Sequence, residues 1–278
     1  MLWVLGGLIG LVLVVLGFLL IPPSRVQRRF AALEQSFISR LGSSEGVFTL
    51  EDIAHLPPVV QAFYTNGGYI GKPKMTGLKA SFSKVSFSLG QNKPTIPIIY
   101  TQLNGVKTIE RYAHIDARMY GLPFEGLDSF SAGIGSMEGY LAKQLRLFNQ
   151  TGDYMDKACL VTYLAEAFFL PTVGLSDAIC YEQLDAYTVR ATIRAFDMEA
   201  SGVFTFSENG QMLAFTTNDR MAASLDGKLE QIPWTAECSD YTKQDGIWVP
   251  SRLKATWHYP QGDLVYFDGT EVQVTYYY

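Results

Sequence analysis

Hydrophobic and polar positions divide the chain into three parts. Residues 1–23 are almost entirely apolar, residues 24–70 repeat apolar side chains every three or four positions, and residues 71–278 mostly alternate apolar with polar positions. The three- and four-residue spacing is typical of amphipathic helices, and the alternation is typical of strands with one buried face. The pattern predicts an α+β protein in which an N-terminal transmembrane helix and a juxtamembrane helical segment precede a β-rich globular domain, a mainly antiparallel sheet covered by helices.

The first segment has the length of a membrane anchor. The apolar run at residues 2–21 contains 20 residues, which as a helix span roughly 30 Å, the thickness of the hydrocarbon layer of a bilayer. Pro22 and Pro23 then end the helix. A cleaved signal peptide is the alternative, but no basic residue precedes the run and no small-x-small cleavage site ends it. We therefore expect a single-pass anchor at residues 1–23 and a location at the cell membrane.

The charges near the anchor bear on which side of the membrane the globular domain lies. The basic residues Arg25, Arg28 and Arg29 follow the anchor, which favours a cytoplasmic domain. The three cysteines form no C-x-x-C pair and, being odd in number, no closed disulfide framework, which agrees with that side. The family resemblance described below favours the other side, so the topology is left open.

Spacing and turn residues predict the elements of the globular part. One apolar stripe predicts a juxtamembrane helix that either packs on the globular body or lies on the lipid surface. The stripe consists of Val26, Phe30, Leu33, Phe37 and Leu41. Similar spacing predicts two further helices, at residues 137–148 and 155–169, the second closed by Pro171. Two short helices are predicted before residue 70, one capped by Thr49 and one opened by Pro57-Pro58. The rest of residues 71–278 is predicted to form strands joined by turns such as Asn209-Gly210 and Asp245-Gly246, which indicates an antiparallel meander.

Composition excludes two broad classes of protein. Hydrophobic residues make up 48% of the chain, which provides enough apolar surface to exclude intrinsic disorder. The net charge of −5 argues against a nucleic-acid-binding surface, and no nucleic-acid partner is expected. The glycine-rich residues 133–139 lack the third glycine of a dinucleotide-binding motif and the Lys-Ser/Thr of a P-loop, so we interpret them as a tight turn. No cofactor and no metal are predicted.

Four short motifs, in order along the chain, resemble those of one bacterial family. Residues 163–172 resemble the Tyr-Leu-Ala-Glu-Ala…Pro-Thr signature of an uncharacterised family of membrane-associated proteins, a domain-of-unknown-function group. Residues 128–137, residues 218–220 with Pro233-Trp234, and residues 240–257 resemble its other motifs. Thr162 stands where members carry Arg, so an ion pair built on that Arg is not expected here.

The resemblance implies a fold. The C-terminal strands are similar to those of periplasmic lipoprotein-carrier domains, in which a curved, half-barrel-like antiparallel sheet wraps an apolar groove closed by helices. The family has no assigned activity to carry over. A sheet too curved to be filled by two helices would leave an apolar groove, which is what a lipid-like ligand requires. We therefore expect a membrane-anchored, non-catalytic module that binds an apolar or amphiphilic ligand, with a membrane lipid or lipid-like molecule as the partner. The sequence names no protein partner.

Glu166 is the most informative candidate residue, because it is the one acidic residue within the apolar run at residues 163–170. A carboxylate in such surroundings is costly unless it is paired. It is either a buried partner of Arg220 or a carboxyl that faces an apolar cavity and acts on a ligand headgroup. The candidate ligand-binding residues are Tyr163, Glu166, Phe169, Arg220, Trp234 and Trp257.

Two other functions remain open at this stage. One is a lipid or ester hydrolase that uses Glu166 with His114 or Tyr163. The other is a structural envelope protein whose groove is filled by its own side chains. No catalytic residue is assigned.

One predicted strand carries a row of polar side chains. His114 and Asp116 lie about 7 Å apart along one strand face, which is too divergent for a metal site without further ligands. We expect this face to be solvated, with Arg111 on the opposite face. The face consists of Glu110, Tyr112, His114 and Asp116.

Overall fold

The computed structural model describes residues 3–8, 10, 14, 17, 23–223 and 228–278. Beyond residue 23 its helices are α1 (Arg25–Arg40), α2 (Leu50–Ile53), α3 (Pro58–Asn66) and α4 (Asp153–Ala165), with a 3₁₀ turn at Val173–Leu175. Capping boxes begin α1 and α2, since the hydroxyls of Ser24 and Thr49 accept hydrogen bonds from the amides of Gln27 and Asp52, whose side chains accept in return.

The strands occupy most of the remaining chain. They are β1 (Gly77–Ser88), β2 (Thr95–Gly105), β3 (Glu110–Met119), β4 (Leu122–Ser131), β5 (Ile134–Leu141), β6 (Leu145–Thr151), β7 (Ile179–Gln183), β8 (Thr188–Ala195), β9 (Met198–Phe206), β10 (Met212–Thr217), β11 (Met221–Ala223), β12 (Leu229–Gln231), β13 (Trp234–Gln244), β14 (Ile247–Tyr259), β15 (Gly262–Thr270) and β16 (Gln273–Tyr277).

One 14-stranded sheet contains all of these strands except β11 and β12, which form a separate hairpin. Its order is β6-β5-β4-β3-β2-β1-β15-β14-β13-β10-β9-β8-β7, and β16 also pairs with β1. Neighbours in sequence are mostly neighbours in the sheet, so the sheet consists of two antiparallel meanders. They meet where β1 pairs with β15 and β16, a line we call the seam. The predicted antiparallel meander is thus present.

The sheet curves around α4. This helix contacts β3, β4, β5 and β6 of the first meander and β8 and β9 of the second, and its buried residues join the main hydrophobic core. A single sheet that reaches one helix from both sides has the half-barrel form implied by the family resemblance. We call the face toward α4 the inner face of the sheet.

The predicted transmembrane helix is corrected. In the part of the chain that the structure describes, no helix is long and apolar enough to cross a membrane. The 16 residues of α1 span about 24 Å, short of a bilayer's hydrocarbon layer of about 30 Å, and α1 begins and ends with Arg. Of the predicted anchor at residues 1–23, only residues 3–8, 10, 14, 17 and 23 are described, and the rest lies outside the described residues.

The helix predicted at residues 137–148 is wrong, because these residues belong to β5, β6 and the turn between them. Ala142 and Lys143 in that turn both have positive φ, 50° and 66°. Gly139 lies opposite Phe148, and a Cβ on Gly139 would come within 2.3 Å of the Phe148 ring. The turn shifts the alternation of the second strand against that of the first, which produced the helix-like spacing. The helix predicted at residues 155–169 is present as α4, which begins two residues earlier and ends at Ala165, with residues 166–169 in a turn.

The apolar stripe of α1 packs on the outer face of the first meander. Val26, Phe30 and Phe37 are buried there. Gly77 and Gly105 face each other across β1 and β2, and a Cβ on either would come within 3.2 Å of the Phe37 ring. The missing side chains therefore make the room in which Phe37 sits. Of the two predicted placements of this helix, the structure shows packing on the globular body.

The expectation of a solvated face on β3 is wrong, because α1 covers it. Phe30 stacks on His114 with ring centroids 5.3 Å apart, and Arg40 forms an ion pair of 2.7 Å with the buried Glu110. His114 lies 3.7 Å from Glu125, whose carboxylate accepts a hydrogen bond of 2.7 Å from Ser24. An amphipathic helix needs a surface for its apolar stripe, and this strand face provides it.

Candidate ligand-binding site

A cavity of about 560 Å³ lies on the inner face of the sheet beside α4. Side chains of β3–β6 line one side, side chains of β14 and β15 line the other, and the β1–β2 loop and the β11–β12 hairpin contribute to its wall. Much of the lining is aromatic, and it includes Phe87, Phe124, Phe148, Tyr154, Trp257, Tyr259 and Tyr266. The cavity therefore lies between the two meanders, where neither fills the space alone.

A buried ion cluster forms one end of this region. The guanidinium of Arg111 lies 2.9 Å from Glu166 and 2.7 Å from Asp128, and donates a hydrogen bond of 2.6 Å to the hydroxyl of Tyr100. Burial by itself would lower the pKa of Arg111, but the charge of Glu166 and its other neighbours raise that pKa well above the ordinary value. Arg111 is therefore a permanent cation, and Asp128 is the member of the cluster that lines the cavity.

Glu166 faces Arg111 and not Arg220, so the predicted Glu166–Arg220 pair is wrong. The residue caps the end of α4, and its carboxylate also accepts a hydrogen bond of 2.6 Å from Asn104. It is not among the residues that line the cavity. Its charge is thus compensated inside the protein.

Arg220 and two tryptophans form an aromatic stack at the cavity. The guanidinium carbon of Arg220 lies 4.7 Å from the ring centroid of Trp234 and 5.5 Å from that of Trp257. Trp234 donates a hydrogen bond of 3.1 Å to the hydroxyl of Tyr266, whose ring stacks on Trp257. Arg220, Trp257 and Tyr266 line the cavity, with Trp234 behind them. The aromatic faces hold the cation in place.

The remaining candidate residues belong to the core. Tyr163 is buried and donates a hydrogen bond of 2.7 Å to the carbonyl of Gly105, and burial raises the pKa of its hydroxyl. Phe169 is buried, and neither residue lines the cavity. Of the six candidate residues, the structure therefore brings Arg220 and Trp257 to the cavity wall, places Trp234 beneath Arg220, and places the other three elsewhere.

Two of the lining residues that no sequence pattern assigned to a site lie close to the ion cluster. Asp128 and Cys159 both line the cavity, and Cys159 is buried on α4. Burial raises the pKa of the Cys159 thiol, so it remains protonated at neutral pH. Asp128 lies within one of the family motifs, but the motif does not show which residue it contacts. The register of β4 against β3 places it next to Arg111.

In the described part of the chain, no three His, Cys, Asp or Glu side chains are grouped so that they could hold a metal ion. The three cysteines are free.

Comparisons with known proteins identify a family and two similar solved structures. The model of a family of unknown function, DUF6544, matches residues 46–269. No curated protein matches the sequence. Two solved structures are similar. An outer-membrane lipoprotein-sorting-type domain from Vibrio parahaemolyticus is 12% identical over 72% of this chain and 85% of its own, with a TM-score of 0.39. A LolA-superfamily protein from Nitrosomonas europaea is 8% identical over 78% and 92%, with a TM-score of 0.41.

Proposed function

We propose that this chain, which belongs to the DUF6544 family of unknown function, is a non-catalytic module that binds an apolar or amphiphilic, lipid-like molecule in the cavity beside α4. The proposal rests mainly on the presence of this cavity. Its volume of about 560 Å³ lies within the range of about 300–1,000 Å³ typical of sites for small organic ligands. Its aromatic lining suits an apolar chain.

The size of the cavity argues against a protein whose groove is filled by its own side chains. Core atoms normally pack as densely as organic crystals, with few voids larger than a water molecule. The side chains that line an empty apolar cavity lack the van der Waals contacts that a packed core would give them. A ligand chain restores them, and each methylene group that leaves water contributes about 0.8 kcal/mol.

The positions of the polar groups do not support a hydrolase built on Glu166. Arg111, the partner of Glu166, and His114 lie on opposite faces of β3, since side chains alternate along a strand. His114 is covered by Phe30 of α1. The hydroxyl of Tyr163 donates its hydrogen bond to the carbonyl of Gly105. The structure thus brings no base within reach of a nucleophile among these residues.

Filling the cavity tests the proposal. We expect wild-type protein to enhance the fluorescence of the neutral apolar dye N-phenyl-1-naphthylamine. Ala158 lies on α4, is 5% exposed and lines the cavity. Ala158→Phe places a ring inside it, and we expect the dye affinity to fall about tenfold or more, while the free energy of unfolding stays within about 1–3 kcal/mol of the wild type.

Ala32→Phe is the matched control, because Ala32 is an exposed residue on α1 away from the cavity. The control is expected to bind the dye like the wild type. Equal dye binding by Ala158→Phe and wild type would place the dye elsewhere and refute the proposal, as would a wild-type protein that binds no dye. Native mass spectrometry of the purified wild type and Ala158→Phe then compares the lipids that each retains.

A further inference from the structure

Arg220 has hydrogen-bonding capacity that the protein does not use. Its Nε is fully buried and has no hydrogen-bond partner among the described residues. Among the described residues, no carboxylate forms an ion pair with it. A buried donor without a partner costs free energy, and for a charged group that cost is larger than for a neutral one. Arg220 is therefore poised to receive an acceptor from outside the chain.

The charges around the cavity leave Arg220 uncompensated. Among the described residues, two carboxylates line the cavity, Asp128 and Glu230. Asp128 is held by Arg111 at 2.7 Å, and Glu230 by Lys228 at 2.5 Å. Lys93, on the exposed β1–β2 loop, also lines the cavity, and the described residues offer neither it nor Arg220 an acidic partner. The described part of the lining thus carries an excess of positive charge.

The aromatic stack decides which sign of charge a ligand can bring. The faces of Trp234 and Trp257 would attract a quaternary ammonium group if they were free. Arg220 already occupies the space over both rings, so a second cation would meet it at close range. An anionic group is instead attracted, and the planar guanidinium suits the oxygens of a carboxylate or a phosphate.

We propose that Arg220 binds the anionic head of an amphiphile whose apolar chain occupies the cavity, with a carboxylate or phosphate as the head. This proposal rests on ligand binding in the cavity as proposed above. The apolar lining continues from Trp257 and Tyr266 to Phe124 and Ile115, so a head at Arg220 leaves the chain in apolar surroundings. A free inorganic anion would satisfy Arg220 but not that lining.

Pairs of ligands that differ only in the head test the proposal. Dodecanoate, dodecyl phosphate and dodecan-1-ol share one chain and compete with the bound naphthylamine dye. We expect the wild type to bind both anions more tightly than the alcohol. Arg220→Gln should weaken both anions by about tenfold to a hundredfold, the usual worth of a hydrogen bond to a charged group, and leave the alcohol within about twofold. Arg220→Lys should be intermediate, because it keeps the charge but loses the planar fork.

Arg252→Gln is the control for loss of one positive charge. Arg252 is paired with Asp268 at 2.8 Å and does not line the cavity, so this variant should bind all three ligands like the wild type. Inorganic phosphate separates the sources of the anion. If it displaces dodecyl phosphate as well as dodecanoate does, the site recognises free anions and the amphiphile proposal is overturned.

The remaining outcomes separate this proposal from the one on which it rests. Equal affinity of the wild type for dodecanoate and dodecan-1-ol, or equal losses for both in Arg220→Gln, would overturn the anionic head and leave ligand binding in the cavity intact. Absence of dye binding by the wild type would remove both. If Arg220→Gln does not fold, Arg220→Lys decides, together with salt, which should weaken the wild type's binding of the anions and not of the alcohol.

Discussion

Arg111 holds two carboxylates on the inner face of the sheet, and both depend on it. Glu166 and Asp128 approach the same guanidinium from different elements, at 2.9 and 2.7 Å, and Arg111 itself is 5% exposed. Removing a buried partner leaves an uncompensated charge, which costs far more than the pair contributes on balance. The three residues therefore act as one unit.

A double-mutant cycle measures this coupling. We expect Arg111→Met to lower the free energy of unfolding by about 3–5 kcal/mol, because it strands two buried carboxylates. Glu166→Gln should cost less, because Asp128 still compensates Arg111. The double mutant should be more stable than the sum of the two losses implies. Urea unfolding of the four proteins gives the values.

The Glu166→Gln and Arg220→Gln pair is the internal reference for that cycle. These residues share no partner, so their effects should add within about 0.5 kcal/mol. Strong coupling between them, with additivity for Glu166 and Arg111, would contradict the ion cluster described here.

The need of Glu166 for a partner could be predicted from sequence, but the partner could not. An acidic residue within the apolar run at residues 163–170 must be compensated, and that holds in the structure. Arg111 lies 55 positions earlier, on a strand, and its alternation with His114 says only that the two occupy opposite faces. Which face of β3 becomes the inner face depends on where α1 packs. The local sequence pattern of β3 does not contain that information. Arg220 was an equally acceptable partner on sequence grounds.

Phe37 is the most deeply buried of the side chains that join α1 to the sheet beneath it. Phe37 is 0% exposed and sits over Gly77 and Gly105, with the rings of Tyr112 and Tyr277 edge-on at 6.3 Å each. Ion pairs of Arg40 with Glu110 and of Lys79 with Glu34 lie beside it. In each of these pairs at least one side chain is partly exposed, and such pairs contribute little, so the buried apolar side chains of α1, with Phe37 among them, carry most of the docking energy.

Truncating Phe37 is therefore expected to loosen α1. Phe37→Ala should lower the free energy of unfolding by about 3–5 kcal/mol, because it removes the ring and leaves a cavity above two glycines. Ile38→Ala is the matched control, because the adjacent Ile38 is 44% exposed, and it should change stability by no more than about 0.5 kcal/mol. Urea unfolding compares them, and equal losses in both variants would mean that α1 does not rest on Phe37.

Alternation of apolar and polar residues correctly predicted unbroken strands such as β8 and β9. The Asn-Gly pair correctly predicted the turn at Asn209-Gly210. Alternation failed at residues 137–148, where a turn of three residues lies inside the window. Ala142 and Lys143 adopt positive φ there although neither is a residue that favours it. The turn is imposed by pairing of β5 with β6, which a propensity-based prediction does not see.

The seam makes the two meanders depend on each other. Gly269 of β15 lies opposite Val85 of β1 and Leu253 of β14. A Cβ at Gly269 would come within 2.7 Å of the Phe82 ring, which is itself buried. The cavity, α4 and the seam all join the same two halves, so neither half is expected to be stable alone.

A substitution at the seam tests that dependence. Gly269→Val should destabilise the protein by about 1–3 kcal/mol through overpacking against Phe82. Amides of β3 and of β9, one from each meander, should lose hydrogen-exchange protection with the same free energy, as parts of one cooperative unit. Thr270→Val, one residue along the same strand, is the control and should be close to neutral. Separate opening of β3 and β9 would show two independent units.

The seam also has a consequence for how the chain is made. β1 ends at Ser88 and its partner β15 begins at Gly262, so about 170 residues are translated between them, which at about 5–20 residues per second takes roughly 9–35 s. During that interval the strands β1 to β6 can pair with one another outside the ribosome. The edge of β1 that later pairs with β15, along which Phe82 and Val85 lie, has no strand beside it. An unpaired edge is a template for other chains. The yield of folded protein in a producing cell is therefore expected to depend on translation speed and on chaperones that cover nascent strand edges, more than on the stability of the finished sheet.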